Sequence, residues 1–227
     1  MASVSLLALR RGLLEVDELQ LADPTPVGEP PERPEVARVV GRASVVLLSS
    51  HFERYIYSLN EEAIELLNES GVVGSVLPEM LRLLHTQTVV DDLFGTQWQH
   101  RGEKLNAFVA GEAWLWGGAM TGELQHKRLV AWMKSPSPQN LERYFRYWGV
   151  KDIFAAITRA SHTRSELWLR IDELVGKRNN IAHGDLATEA THTDISAYQT
   201  AALTFSDRTD RLLGRAVGRL LGQRSGW

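Results

Sequence analysis

The chain has 227 residues, a formal net charge of −3 and no cysteine. That length can bury the core of one large domain without a crosslink or cofactor, and the lack of cysteine excludes disulfides, thiol nucleophiles and cysteine-ligated zinc or iron–sulfur centres. The slightly acidic balance excludes a broad basic field, so a bound polyanion would be held by local clusters with few phosphate contacts.

No apolar run reaches the roughly 18 residues that cross a bilayer. The most apolar stretch, Val36 to Leu48, is interrupted by Arg38, Gly41 and Arg42. With no secretory pattern at Met1, a soluble cytoplasmic protein without a membrane partner is expected.

Leu6, Leu9, Leu13, Val16 and Leu19 recur at helical spacing and predict a first helix over Val4 to Ala22, ended by Asp23-Pro24. Five of the eight prolines fall between Pro24 and Pro34, which predicts an extended connector. The longest helical pattern runs from Glu35 to Leu67, with Val39, Ala43, Val46, Ser50, Glu53, Tyr57 and Ile64 along one face. Shorter helices are expected over Leu77 to His85, Glu103 to Trp116, Gly122 to Met133 and Asn140 to Trp148. Ser135-Pro136-Ser137-Pro138 reads as the cap of the last of these.

Thr163-Arg164-Ser165-Glu166 has the form of a capping box opening a late helix with a stripe of Leu167, Ile171, Leu174, Val175 and Ala182, stopped by Gly184. A final helix is expected over Asp194 to Leu221. No alternating strand pattern occurs, so the expected fold is all-α: an antiparallel helical bundle with extra short helices in the middle region. It is read as one domain over 1–227, with residues 1–34 forming the first helix and connector and 35–227 the helical core.

The late helix carries Arg178-Asn179-Asn180-Ile181-Ala182-His183. At about 100° per residue, Arg178 falls within roughly 20° of Ile171, where the stripe calls for an apolar side chain. An unpaired guanidinium is costly to bury, so the position belongs at an edge, an interface or an anion site. A lone arginine here could equally reach the helix end and cap carbonyls.

Asn179 and His183 are four apart, so the amide can orient the imidazole. Arg178 and His183 differ by about 140° on an ideal helix. Either the helix loosens before Gly184, or two copies of the run meet across a symmetric interface. An arginine and a histidine suffice to cleave RNA through its own 2′-hydroxyl, with His183 moving protons and Arg178 holding phosphate charge. No metal or cofactor is needed, and DNA, which lacks that hydroxyl, is not expected to be cut.

Arg178 to Gly184, at the end of a late helix, resembles the RxxxxH motif of HEPN domains. The RiboL-PSP-HEPN group is the most similar subtype, through the early helix Val45-Val46-Leu47-Leu48-Ser49-Ser50-His51-Phe52-Glu53, the motif helix and the helix after it. The resemblance implies an all-α bundle, a homodimer whose two motifs face one cleft, and metal-independent endoribonuclease activity on RNA, tRNA or mRNA among the candidates. The implied settings are toxin, antiphage defence or RNA processing, with a cognate antitoxin or defence partner. It makes Arg178 and His183 catalytic and Asn179 supporting. The alternative is a non-catalytic HEPN module that binds RNA or protein. Where HEPN toxins paired with nucleotidyltransferase antitoxins often carry a tyrosine, this chain has Asp185, so neutralisation by that route is not expected.

Glu53, a carboxylate on an apolar stripe, either pairs Arg178 in a supporting role or makes an ordinary pair with Tyr57 or a lysine; the two readings weigh equally. Arg208, Arg211, Arg215 and Arg219, with Arg164, Arg170 and Lys177, form basic stripes that read first as solvated helix faces and second as an RNA track. The histidines offer no metal-ligand spacing, so no metal is expected. The seven tryptophans read as core or interface anchors.

Overall fold

The computed structural model describes residues 1–227 apart from 24, 26–28 and 118–120, and leaves the Thr88 side chain undescribed. Among the described residues the regular elements are helical: α1 Val4–Gln20, α2 Pro34–Glu69, α3 Glu79–Gly95, α4 Arg101–Trp116, α5 His126–Val130, α6 Pro138–Tyr147, α7 Ile153–Ile157, α8 Ser161–Ala182 and α9 His192–Leu220. One isolated bridge, Val73 with Thr121, is the sole β-type pairing among them. The all-α expectation is met, and no helix among the described residues is long and apolar enough to cross a membrane.

The long helices α1, α2, α8 and α9 pack on one another, and α5, α6 and α7 close the bundle from the side. Phe205 of α9 is the hub of the buried core, with ring centroids 5.9 Å from Phe52 of α2, 6.2 Å from Phe145 of α6 and 5.5 Å from Phe154 of α7. Buried polar groups cross-brace the layers. Tyr55 donates to Ser206 O at 2.9 Å, and Asn60 joins α2 to the His126 carbonyl and the Tyr144 hydroxyl. A buried amide with its donor and acceptor both satisfied fixes register as well as contributing stability.

Helix ends explain several departures from the sequence reading. α8 begins at Ser161 behind Ala160, which makes no side-chain cap, so Thr163 and Glu166 lie inside the first turns rather than forming a capping box. The reciprocal box is at α9, between Thr191 and Asp194. The cap from Ser137 to the Asn140 N–H is present at α6, as expected. α3 continues to Gly95, ten residues beyond His85, whereas the helix expected over Gly122 to Met133 contracts to His126–Val130. Asn68 holds the segment ahead of α5 in place by bonding both the N–H and the carbonyl of Leu124. Prolines 24 and 26 of the expected connector lie outside the described residues.

The face of α2 also differs. Its buried stripe is Val45, Leu48, Phe52, Tyr55, Ile56, Leu59 and Ala63, while Val39, Ala43, Val46 and Ser50 are exposed. The segment is apolar around much of its circumference, so periodicity alone allowed two phases, and packing on α1 and α9 selected the other one.

Candidate functional site at the end of α8

Leu167, Ile171, Leu174 and Val175 anchor α8 in the core, and Arg178 follows in the same stripe at the point where the helix leaves it. Ala182, expected to extend this stripe, is exposed. The helix stops as a Schellman turn: the Gly184 N–H bonds Ile181 O and the Asp185 N–H bonds Asn180 O, each at 3.0 Å. Gly184 has φ +84°, a left-handed conformation that glycine adopts without a Cβ penalty. His183 is the cap residue, with φ −85° and ψ 7°, so the backbone has left the ideal helix at that residue and its imidazole is exposed.

Arg178 is held from two sides. Its Nη2 lies 3.5 Å from Glu53 Oε2 on α2, and its Nη1 donates to Asn179 Oδ1 at 3.1 Å. The arginine and glutamate side chains are 32% and 22% exposed, so the pair is half-shielded from water yet reachable. Of the two readings open for Glu53, the geometry selects pairing with Arg178, since the Tyr57 hydroxyl donates to Met133 O at 2.7 Å instead. Burial raises the Glu53 carboxyl above its usual range, and the Arg178 charge offsets only part of that rise. A guanidinium has five N–H donors, and these contacts leave at least three free for a phosphate.

Asn179 does not act as expected. Its side-chain oxygen accepts from Arg178, and its link to His183 is through the backbone, His183 N–H to Asn179 O at 3.0 Å. The amide therefore orients the arginine rather than the imidazole.

The α8–α9 turn is fastened to α2 by Arg42 and Gly41, which were read in the sequence only as interruptions of an apolar run, and to α8 by Lys177. Arg42 Nη1 donates to Asp185 O at 2.5 Å and to Thr188 O at 2.9 Å. One residue earlier, Gly41 lies so close to the turn that a Cβ there would sit 2.1 Å from the Ala190 carbonyl oxygen. Lys177 bonds Glu189 O at 2.7 Å and pairs with Asp194 at 3.3 Å. Within the turn, Asp185 accepts from the Thr188 hydroxyl and the Ala187 N–H, and the Thr188 bond is the main cause of its lowered carboxyl pKa. The only hint in the sequence was the pair Gly41-Arg42 interrupting an apolar run.

The other candidates separate clearly. Arg170 is engaged by Glu166 and Glu173, Arg208 by Ile157 O and Arg211 by Asp207 O, which fits solvated, internally paired helix faces. Trp114 and Trp148 are core residues, whereas Trp98 and Trp116 are exposed. Among the described residues no group of three histidine, aspartate or glutamate side chains could hold a metal ion.

No curated protein and no solved structure matches the chain. The family profile of RiboL-PSP-HEPN matches residues 13–215, a span that takes in the middle third as well as most of the three helices that carried the resemblance. With the all-α architecture and the glycine-stopped motif helix, that match makes this chain a member of the RiboL-PSP-HEPN family of HEPN domains.

Proposed function

We propose that the protein is a metal-independent endoribonuclease whose catalytic groups are Arg178 and His183. The observation that carries this reading is the setting of Arg178, half-buried between Glu53 and Asn179 with N–H donors to spare, on the helix that ends in an exposed His183. In the reaction the RNA 2′-oxygen attacks its own 3′-phosphate and the bond to the 5′-oxygen breaks. The 2′-hydroxyl proton passes to a neutral imidazole, and the departing 5′-oxygen takes a proton from an imidazolium. The products are a cyclic phosphate and a 5′-hydroxyl. Arg178 neutralises charge on the non-bridging oxygens, while Glu53 and Asn179 act as positioning residues.

One chain supplies one histidine of the motif, while the reaction uses a base and an acid. A homodimer bringing two motifs to one cleft meets that need. The exposed Val39 and Val46 on α2 and Leu186 just after the motif give this face an apolar surface for a second copy. RNA is the substrate class, with tRNA or mRNA in a toxin, defence or processing setting, and a cognate antitoxin or defence partner would act on the same face. The site is read as working without a metal or cofactor, in the cytoplasm.

A second reading, a HEPN module that binds RNA or protein without turnover, is favoured by one feature: among the described residues the imidazole of His183 has no side-chain partner to fix its tautomer, whereas Arg178 is already well held. Incubation of purified protein with RNA in EDTA separates the two. Cleavage lost in Arg178→Ala and His183→Ala supports the nuclease, whereas binding without cleavage supports the module.

A further inference from the structure

The chain contains an apolar surface that its own fold does not use. From Asp91 to Gly111, across the end of α3, the turn and the start of α4, no residue is buried. Helices this short draw most of their stability from tertiary packing, and here α3 and α4 lie on each other without enclosing a buried layer. Yet it is not polar: Phe94 is 69% and Trp98 78% exposed, and Leu105 and Val109 are about half exposed.

These side chains are ordered along each helix. On α3, Met80, Leu83, Gln87, Val90 and Phe94 recur at alternating steps of three and four residues, and the members at 80, 83 and 94 are exposed hydrophobics. On α4, Leu105, Val109 and Trp116 fall within about 40° of one another at 100° per residue. Gly102 lies on the same face, and a Cβ there would meet nothing within 4 Å. Both stripes have the spacing that seams helix to helix in bundles. Taking roughly 150–250 Å2 for a whole aromatic side chain, the two stripes and Trp98 expose on the order of 700 Å2. A standard interface takes about 800 Å2 from each partner.

We propose that the α3–α4 hairpin is a docking arm for a second copy of this chain, the stripes of two hairpins packing face to face as a four-helix bundle. The exposed area matches what a stable dimer needs from each copy. Lys104 pairs with Asp92, and Arg101 is spent on the Phe94 and Thr96 carbonyls, so two arms meet without unpaired cations between them. RNA is the poorer occupant despite the exposed tryptophans, because residues 79–116 hold five acidic and three basic side chains.

α3 and α4 pack chiefly on α5, α6 and the turn before α3. The arm therefore does not rest on the nuclease reading, and a dimer through the arm leaves open whether the Arg178 faces meet about the same axis or a second one.

Light scattering of the whole protein tests the arm. Wild type at about 100 μM is expected to have at least twice the chain mass, and Leu105→Glu with Val109→Glu is expected to halve it while helicity by circular dichroism is kept. Both positions are surface-exposed, so the substitutions leave the core untouched. A monomeric wild type overturns the proposal, including one whose tryptophan fluorescence responds to RNA, and so does an arm variant of unchanged mass. Cleavage of RNA in EDTA, measured on wild type, reports on the nuclease reading separately.

Discussion

Removing Arg178 strands Glu53, and the cost can be worked from the structure. At the 3.5 Å separation and an effective dielectric of about 20, the Coulomb attraction is about 5 kcal/mol before desolvation. The Glu53 carboxyl nevertheless titrates above its usual 4.5, with burial as the larger cause, so desolvation consumes more than the arginine returns. Glu53→Gln removes both contributions and is expected to change stability by less than about 1 kcal/mol. Arg178→Ala leaves the half-buried carboxylate unpaired and is expected to cost about 2 kcal/mol. Glu53→Gln made in the Arg178→Ala background then recovers stability, for a coupling of about 1–2 kcal/mol in a double-mutant cycle. Urea unfolding of the four proteins at pH 7 measures it. The sign also predicts the pH trend. A raised native pKa means the folded state keeps its proton longer, so the unfavourable contribution of Glu53 grows as pH rises through that pKa, and the coupling fades once Glu53 is protonated. A coupling below about 0.3 kcal/mol would refute the pairing.

Arg42→Ala should release the turn after the motif, costing about 1–2 kcal/mol and stripping hydrogen-exchange protection from the Asp185 and Ala187 amides, while the core of α2 stays protected; unchanged exchange there would count against the clamp. Phe205→Ala removes the ring on which three helices converge and should cost about 3–5 kcal/mol in urea unfolding, against less than about 1 kcal/mol for Leu186→Ala on the surface. His85 is buried, with Nε2 accepting the Gln125 N–H at 2.9 Å and Nδ1 3.0 Å from Glu112, which Arg128 also holds. Burial depresses its pKa below 6.5, so the unfolded chain binds the proton first and stability should fall with acidification below pH 6.5. The slope is at most about 1.4 kcal/mol per pH unit, and His85→Gln should flatten it. A wild-type slope no different from that of the variant would remove His85 as the cause.

What could be read from the sequence was local and one-dimensional. The glycine stop after His183 was legible because a left-handed cap demands few other residues. Ser137 capped its helix because the oxygen and the free N–H are three residues apart on any chain. The early helix was legible as a helix but its phase was misjudged: Val39 and Val46 share their face with Ser50 and Glu53, and packing on α1 and α9 took the richer stripe through Val45, Leu48, Phe52 and Ile56. The false capping box at Thr163 shows a further limit, since α8 begins at Ser161 with no side-chain cap and the box residues fall inside its first turns. Asn179 could reach either neighbour, and the cap geometry at His183 left the arginine as its partner. Gly41 and Arg42 were beyond reach because their partners are carbonyls some 140–150 residues away, which no side-chain pattern marks.

The central claim is that Arg178 and His183 cut RNA through its own 2′-hydroxyl. The most direct measurement uses one oligoribonucleotide with a single cleavage position, in EDTA, beside the same strand carrying a 2′-deoxy residue there. A cyclic-phosphate product is expected from the ribose strand and none from the deoxy strand, with loss of cleavage in both Arg178→Ala and His183→Ala. Cleavage of the deoxy strand, or full activity in the His183→Ala protein, would contradict it.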